Sequence, residues 1–368
     1  MATIPTADSM LAEIQSETLN TLLTSVRWEV SPPGSTQIHA LDAQFFSSMQ
    51  HHQMTHSSLN GGDLIEVQGP PASGKTHFLY HLIVTSILPS TVLGIHLSSW
   101  DKAAVIFDTD GTFSLLRLRE LLLSRLGSLL RAASQTDNAS ISLGDITKTA
   151  MARVHVFRPT SSVQLAASLL NLPSYHAEHL PGDVIGIVAV DSVSSFYWPD
   201  RFTVEQMNSG DAKGRNSSSN PLHHFLTSLQ KIRASHGPVV VLTNWGLNPL
   251  TKLTRDSAPT MLYKQHLNPF PNLAPPYPTE ERDANSHRSN TSLWNPSLTH
   301  HITLPFVPMT PFIPDASIQE VQEQEMNYRK EIVDRGEVAG IVRTSGCART
   351  GRFTFRVCCD EVVVDSEA

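Results

Sequence analysis

Residues Gly69-Pro70-Pro71-Ala72-Ser73-Gly74-Lys75-Thr76 are the strongest indication of the fold of this chain. Its spacing, Gly-x-x-x-x-Gly-Lys-Thr, is that of a phosphate-binding loop, which requires a strand before it and a helix after it. An apolar run at Leu64–Val67 precedes the stretch, and a helical pattern at Thr76–Leu88 follows it. A chance turn rich in Gly and Pro is the alternative. The full spacing in this context favours the phosphate-binding loop.

Each residue type in this loop has a chemical role. Glycines let backbone N–H groups curl around phosphate oxygens, and the helix N-terminus adds a partial positive charge. Lys75 is expected to reach the terminal phosphates of ATP as a point charge, and the Thr76 hydroxyl to ligate Mg²⁺. The predicted nucleotide-binding residues of the loop are Gly69, Pro70, Pro71, Ala72, Ser73, Gly74, Lys75 and Thr76.

Two further apolar runs end in carboxylates. Val184–Asp191 resembles a Walker B strand, and Asp191 is predicted to bind ATP-associated Mg²⁺ together with Thr76. Ile106–Gly111 is the second run, and one of its carboxylates could polarise an attacking water as general base. An ordinary Asp-rich strand exit explains the second run equally well.

The remainder of the region 61–245 alternates short apolar runs with helical patterns. This alternation predicts an α/β fold, a mostly parallel twisted sheet with helices on both faces. The near-continuous apolar runs are typical of strands buried on both faces. The predicted strands are Leu64–Val67, Ala104–Phe107, Val154–Phe157, Val184–Val190 and Val239–Leu242, and the predicted helices are Thr76–Leu88, Ser114–Ala133, Ser162–Leu170 and His223–Ala234.

Composition divides the chain into four parts. Residues 1–60 form a short leader with one helix candidate at Ser9–Val26, and 61–245 form the ATP-binding core. Residues 246–314 hold twelve of the 24 prolines and predict an irregular insertion with a short strand or extended edge at its far end, His301–Val307. Residues 315–368 complete the core with a helix and three antiparallel strands, predicted at Ser317–Asp334, Val338–Arg343, Arg352–Val357 and Glu361–Val364.

Charge and cysteine content exclude several classes of protein. The 368 residues are 40% hydrophobic and 17% charged, with a formal net charge of −7. A wholly disordered chain and a bulk-basic DNA-coating protein are therefore excluded. The three cysteines, Cys347, Cys358 and Cys359, do not form a disulfide framework and fit a reducing compartment. With no apolar run long enough for a membrane span, we expect a soluble intracellular protein that does not engage membranes.

The motifs together resemble the RecA-type strand-exchange recombinases. The resemblance rests on the phosphate-binding loop, on Ile106–Asp110, on Phe113-x-x-x-Arg117-Leu118, and on Val239–Asn244, which is similar to the strand carrying the nucleotide-sensing Gln of that family. It covers residues 60–245 well and the terminal strands loosely. Two stretches, Phe78–Pro89 and Asp191–Arg201, resemble more specifically a eukaryotic recombinase paralogue family of the X-ray repair cross-complementing type.

This resemblance implies a RecA-like P-loop NTPase core that uses ATP and Mg²⁺. It also implies a nuclear role in homologous-recombination repair of DNA double-strand breaks. Family members act as subunits of heteromeric complexes of recombinase paralogues, and a D-type paralogue is the expected partner. Such complexes assist the recombinase filament on single-stranded DNA.

Two positions depart from the recombinase pattern. Asp110 stands where recombinases place a water-activating Glu, and Trp245 stands where the sensor Gln follows Thr-Asn. Asp is shorter by a methylene, and a displacement of about 1 Å can cost on the order of 100-fold in rate. The Trp side chain cannot imitate an amide at a phosphate. We therefore predict ATP binding with slow or partner-dependent hydrolysis.

DNA contact is an open alternative. In RecA-type proteins two loops meet DNA, and by position they correspond here to Phe202–Pro221 and Gly246–His300. Trp245 and Tyr263 could serve as stacking platforms, but nearby acidic residues dilute the positive charge that single-strand binding needs. The basic residues available in the two loops are Lys213, Arg215, Lys252, Arg255 and Lys264.

Two other functions are alternatives to a role as a subunit of a heteromeric paralogue complex. One is an independent P-loop enzyme, either a DNA-stimulated ATPase or a small-molecule kinase. A kinase would carry an Arg-rich lid over the phosphates, and the arginines of this chain are scattered. The other is a degenerate scaffold that binds no nucleotide, against which the intact Gly74-Lys75-Thr76 argues.

Overall fold

A computed structural model gives the architecture of the chain. It describes residues 23, 26, 31–48, 57–92, 94–132, 143–210, 221–246, 249–250, 262–263, 298–306, 315–322, 326–345, 347 and 349–364. Apart from residues 23 and 26, which are helical, the predicted leader helix Ser9–Val26 lies outside the described residues.

The described strands form one large sheet and two small hairpins. They are β1 (Leu64–Gly69), β2 (Thr91–Val92), β3 (Ile95–His96), β4 (Ala103–Asp108), β5 (Val154–Phe157), β6 (Ile185–Asp191), β7 (Val239–Trp245), β8 (Pro249–Leu250), β9 (Leu262–Tyr263), β10 (His300–Thr303), β11 (Glu337–Thr344), β12 (Thr350–Val357) and β13 (Val362–Val364). The large sheet has the order β13-β12-β11-β10-β1-β7-β6-β4-β5. The strands from β10 to β5 are parallel, and β11, β12 and β13 continue the sheet in antiparallel fashion.

Helices cover both faces of the sheet. They are α1 (His39–Ser48), α2 (Lys75–Ile87), α3 (Leu115–Ala132), α4 (Leu143–Met151), α5 (Ser162–His179), α6 (Tyr197–Gly210), α7 (Pro221–His236), α8 (Ile318–Glu320) and α9 (Met326–Asp334), with a 3₁₀ turn at Val193–Phe196. Because side chains alternate along a strand, neighbouring residues of β4 enter opposite cores. Ile106 packs in the core that includes α1, α2 and α3, and Phe107 packs in the core that includes α5 and α7.

The α/β fold, the parallel core and the C-terminal antiparallel strands are confirmed. Three helices escape the sequence prediction, namely α1, α4 and α6, and α5 continues to His179 through Pro173. The predicted loop Phe202–Pro221 is wrong at its start, because α6 is helical as far as Gly210 and the segment 211–220 lies outside the described residues. The predicted helix Ser317–Asp334 is described as α8 and α9, with 323–325 outside the description. The domain divisions stay a prediction.

Strand β10 joins the two parts of the sheet. It pairs in parallel with β1, with Ile65 opposite His300, and antiparallel with β11, with His300 opposite Thr344. Of the two alternatives predicted for His301–Val307, a short strand or an extended edge, the structure has the short strand, which is β10 inside the sheet. No helix in the described part of the chain combines the length and apolarity needed to cross a bilayer.

The parallel strands bring the predicted chemistry to one edge of the sheet. Gly69 at the end of β1 lies opposite Trp245 at the end of β7, and Asp108 at the end of β4 lies opposite Asp191 at the end of β6. The carboxyl ends of parallel strands share an edge, where α/β proteins bind ligands. The phosphate-binding loop and both carboxylate-bearing strand ends therefore meet at this edge.

Candidate nucleotide site

The phosphate-binding loop joins β1 to α2, and two of its glycines are sterically required. Gly74 has a φ of +90°, and a Cβ on it would lie 3.0 Å from a methyl group of Val338. A Cβ on Gly69 would lie 2.4 Å from the carbonyl oxygen of Leu304 and 2.4 Å from Ser73 Oγ. The C-terminal strands thus pack closely behind the loop, and a larger residue at either glycine would displace it.

The ammonium group of Lys75 lies within the loop. Its Nζ donates to the carbonyl oxygens of Gly69, at 2.9 Å, and Pro70, at 2.7 Å. Burial lowers the pKa of Lys75, and the charges of Asp191 and Asp110 oppose this shift. The loop therefore holds a partly desolvated cation whose compensating charges are two carboxylates at the sheet edge.

Asp191 is buried at the end of β6 and accepts hydrogen bonds on both oxygens. Thr76 Oγ1 donates to Oδ2 at 2.9 Å, and Thr243 Oγ1, from β7, donates to Oδ1. Burial raises the pKa of Asp191, the bonds from Thr243 and Thr76 oppose the rise, and the charge of Asp110 adds to it. Sequence reasoning missed Thr243, although it stands directly before the Asn244 of the quoted Val239–Asn244 run.

This donor set fits a Mg²⁺ nucleotide. A threonine hydroxyl beside a carboxylate offers the oxygen ligands that Mg²⁺ prefers. Gly74 precedes helix α2 as its N-cap residue and has no side chain to cap it, so the first backbone N–H groups of α2 have no partner of that kind. Ser73 Oγ, in the loop itself, is buried and has no hydrogen-bond partner among the described residues. Uncapped N–H groups at a helix start are suited to phosphate oxygens.

Asp110 lies at the exposed tip of a turn that runs from Asp108 to Phe113, which we call the acid turn. Its Oδ1 accepts hydrogen bonds from the backbone N–H of Thr112 at 3.2 Å and from Thr112 Oγ1 at 2.7 Å. One carboxylate oxygen is thus occupied locally. The charge of Asp110 opposes the lowering of the Lys75 pKa and adds to the rise of the Asp191 pKa, so Asp110 acts electrostatically on both groups.

A buried polar network connects the end of β7 to the rest of the site. The backbone N–H of Trp245 donates to Ser194 Oγ at 2.8 Å, and Ser194 Oγ donates to Asn244 Oδ1 at 3.2 Å. Asn244 Nδ2 in turn donates to Glu66 Oε1 at 2.7 Å. Sequence reasoning missed this network, although a glutamate inside the apolar strand Leu64–Val67 signals it.

The predicted DNA-contacting residues are mostly beyond the description. Lys213, Arg215, Lys252, Arg255 and Lys264 all lie outside the described residues. Tyr263 belongs to β9, which pairs with β8. Trp245 ends β7 with 36% of its surface exposed. DNA contact by these loops therefore stays a prediction. The three cysteines are free thiols, and the described residues include no cluster of three His, Cys, Asp or Glu side chains suited to a metal.

Known proteins similar to this chain include several DNA repair proteins. The DNA repair protein XRCC2 homolog of Arabidopsis thaliana is 27% identical over 203 residues, covering 50% of this chain and 55% of that protein. DNA repair protein XRCC2 of Mus musculus is 36% identical over 140 residues, covering 38% and 43%. DNA repair protein RAD51 homolog 2 of Homo sapiens is 26% identical over 210 residues, covering 57% and 45%.

Among solved structures, the crystal structure of the RadB recombinase matches with a TM-score of 0.44 and 14% sequence identity, covering 89% of this chain and 97% of that one. No family model matches the chain. The chain spans about half the length of the curated relatives it matches. The similarity to XRCC2 proteins is the one that the stretches Phe78–Pro89 and Asp191–Arg201 predict.

Proposed function

We propose that this XRCC2-like paralogue binds Mg²⁺-ATP at the phosphate-binding loop and acts in homologous-recombination repair as a nucleotide-gated assembly subunit. The observation that carries the proposal is the junction of Lys75, Thr76 and Asp191 at one edge of the sheet, where Thr76 Oγ1 and Asp191 Oδ2 lie 2.9 Å apart. A lysine in the loop beside a hydroxyl–carboxylate pair is the arrangement that a P-loop site uses.

Each residue has a distinct task in this proposal. Lys75 exchanges its bonds to the Gly69 and Pro70 carbonyls for bonds to phosphate oxygens, which carry full charges and bind an ammonium more strongly. Thr76 and Asp191 hold Mg²⁺, which neutralises phosphate charge when bound. Thr243 fixes the orientation of the Asp191 carboxylate through its hydroxyl hydrogen bond. The loop residues Gly69 to Gly74 supply the backbone N–H groups.

Slow hydrolysis follows from the surroundings of the predicted general base. Asp110 stands on an exposed turn, and one of its oxygens is committed to Thr112. Trp245 offers no side-chain amide at the end of β7; its backbone N–H donates to Ser194 Oγ and its carbonyl oxygen accepts from Gln68 Nε2. In this proposal, bound ATP mainly sets the conformation of the sheet edge.

The partners and location of the protein are part of the same proposal. The relatives are named DNA repair proteins, and two of them are XRCC2 proteins. We infer a heteromeric complex with other recombinase paralogues, a D-type paralogue first among them, which assists the recombinase filament on single-stranded DNA at breaks. Such a role places the protein in the nucleus.

Assembly with a purified D-type paralogue tests this role. The complex is measured by analytical ultracentrifugation with Mg²⁺-ATP, with Mg²⁺-ADP and with no nucleotide, for the wild type and for Lys75→Ala. We expect tighter assembly of the wild type with Mg²⁺-ATP and no nucleotide effect in the variant. Lys148→Ala, an exposed lysine of α4, is the matched control and should behave as the wild type. Equal assembly in all conditions would remove nucleotide gating from the proposal.

The same preparation distinguishes the alternative of an independent enzyme. Release of phosphate by the isolated chain faster than about 1 s⁻¹, an ordinary enzymatic turnover, would indicate an ATPase in its own right. A phosphorylated small molecule in place of free phosphate would indicate a kinase. We expect turnover below that rate and no phosphorylated product.

A further inference from the structure

We propose that Arg158 is a positioning residue for Asp110 and that it acts through the buried carboxylate of Asp108. The inference rests on the proposed function, because it concerns the predicted general base of the same nucleotide site. Arg158 directly follows β5, the strand that flanks β4 on the side away from the phosphate-binding loop.

The Asp108 carboxylate connects the first and last residues of the acid turn. Its side chain is 0% exposed and stands at the first residue of the turn. Oδ1 accepts the backbone N–H of Phe113, the last residue of the turn, at 3.3 Å. Oδ2 accepts Arg158 Nε at 3.1 Å. One carboxylate thus closes the turn and connects it to the neighbouring strand.

The sheet fixes the position of Arg158. It is the first residue after β5, which pairs in parallel with β4 so that Phe157 lies opposite Phe107. The two rings are stacked, with centroids 5.4 Å apart. Arg158 therefore leaves the sheet directly beside Asp108, and the stacked pair holds its backbone in place.

Charge explains the presence of an arginine here better than packing does. The Arg158 side chain is 66% exposed, so it fills no space in the core. Asp108 is fully buried, and a buried carboxylate is costly without a paired cation. Among the described residues, Arg158 is the cation within 4 Å of Asp108. The arginine supplies the counter-charge of a carboxylate whose two oxygens both accept hydrogen bonds.

The acid turn is also fastened on its other side. The backbone N–H of Thr109 donates to the carbonyl oxygen of Asp191 at 2.9 Å, and Thr109 Oγ1 donates to that of Ser192 at 2.6 Å. Asp108 and Thr109 thus define the path of the chain into the tip. If Asp108 were released, the tip carrying Asp110 would lose one of these two attachments. A shift of about 1 Å at a reacting group can cost on the order of 100-fold in rate.

Single-turnover hydrolysis and equilibrium binding of Mg²⁺-ATP test the proposal together. For Arg158→Ala we expect the hydrolysis rate to fall roughly 10- to 100-fold, with the dissociation constant for ATP changed by less than about 2-fold, because the arginine acts on positioning and not on binding. Arg158→Lys should recover most of the rate, since an ammonium can pair with Asp108. Arg335→Ala removes a similarly exposed arginine, paired with Glu331 on α9, and should match the wild type.

The double variant Arg158→Ala with Asp108→Asn tests the route. If Arg158 acts through Asp108, the double variant hydrolyses ATP no more slowly than either single variant. Thermal unfolding gives a readout that needs no nucleotide. Arg158→Ala leaves the buried Asp108 carboxylate without its ion-pair partner, so its thermal midpoint should fall below that of Arg335→Ala, and adding Asp108→Asn should recover part of that fall.

Three results would overturn the proposal. One is a rate for Arg158→Ala equal to that of Arg335→Ala. Another is a large loss of ATP affinity in Arg158→Ala that Arg158→Lys does not recover, which would mean that the guanidinium binds an anion itself. A wild type that binds no ATP overturns both this inference and the proposed function. A wild type that hydrolyses ATP but is insensitive to Arg158 overturns this inference alone.

Discussion

Replacing Asp191 by asparagine should raise stability near neutral pH while it weakens Mg²⁺-dependent nucleotide binding. The carboxylate is buried, and burial raises its pKa in the folded protein despite the hydrogen bonds from Thr243 and Thr76. An asparagine of nearly the same shape carries no charge to desolvate. The same substitution removes the anionic ligand proposed for Mg²⁺. Stability and binding should therefore change in opposite directions.

The sign of the stability change follows from proton linkage. An acid whose pKa is higher in the folded state binds more protons when folded, so the wild type loses stability as the pH rises from about 4, the unfolded pKa, through the folded value. Each unit of difference corresponds to about 1.4 kcal/mol. Asp191→Asn lacks this loss. The free energy of unfolding of Asp191→Asn should therefore exceed that of the wild type by an increasing amount as the pH rises from 4 to neutrality.

Urea denaturation at pH 5 and pH 8 measures the first effect, and calorimetric titration with ATP in excess Mg²⁺ or in EDTA measures the second. We expect affinity in Mg²⁺ to fall about 10- to 100-fold, roughly 1.4 to 2.7 kcal/mol, with little change in EDTA. Thr243→Val is the graded control, since it keeps the carboxylate and removes one donor to it. The reasoning is refuted if Asp191→Asn loses stability as the pH rises, or if it binds Mg²⁺-ATP like the wild type.

Three other predictions concern the loop, the core and the β7 exit. Gly74→Ala should lower the free energy of unfolding by about 1–2 kcal/mol and weaken ATP binding, because it adds a Cβ 3.0 Å from Val338 at a φ of +90°. Urea denaturation measures the first effect and calorimetric titration with ATP the second. A wild-type value for either would contradict this prediction. Burial lowers the pKa of His81 to about 4, so stability should fall as the pH drops from 6.5 towards 4, and His81→Gln, which can still bond the Thr36 carbonyl, should flatten that dependence in thermal melts. Trp245→Gln should speed single-turnover hydrolysis at unchanged ATP affinity, and an equal or lower rate would show that the missing amide does not limit turnover.

The elements that could be predicted from the sequence are those that local composition and spacing specify. The apolar residues of β4, β6 and β7 are buried on both faces, so each strand contains a continuous apolar run that can be found in the sequence. The phosphate-binding loop is recognisable because phosphate chemistry dictates its spacing. The placement of Asp110, Asp191 and Lys75 at one edge then follows from parallel strand geometry.

Features that depend on tertiary contacts could not be predicted from the sequence. Helix α1 lies in the polar leader, and its Leu41 and Phe45 become core residues only because β12 and the rest of the fold meet them. Pro173 does not end α5, since packing against α7 overrides local propensity. Arg158 follows a strand with no motif of its own, and only the pairing of β5 with β4 places it beside Asp108.

Long-range polar contacts were the least accessible part of the site. Thr243 reaches Asp191 across 52 residues of sequence, and Asn244 reaches Glu66 across 178. Nothing local in any of these residues specifies its partner. A buried glutamate in an apolar strand signals that some partner exists, but the register of β1 and β7 decides which one.

Binding of Mg²⁺-ATP by the purified chain, compared between the wild type and Lys75→Ala, tests whether the phosphate-binding loop holds a nucleotide. The Lys75 ammonium is the cation that the loop holds, and removing one charge-assisted hydrogen bond typically costs about 1.5–3 kcal/mol. The account predicts measurable binding by the wild type and a loss of affinity of roughly 10- to 100-fold in the variant, with Lys148→Ala unchanged. Equal binding by wild type and Lys75→Ala, or no binding by either, would contradict it.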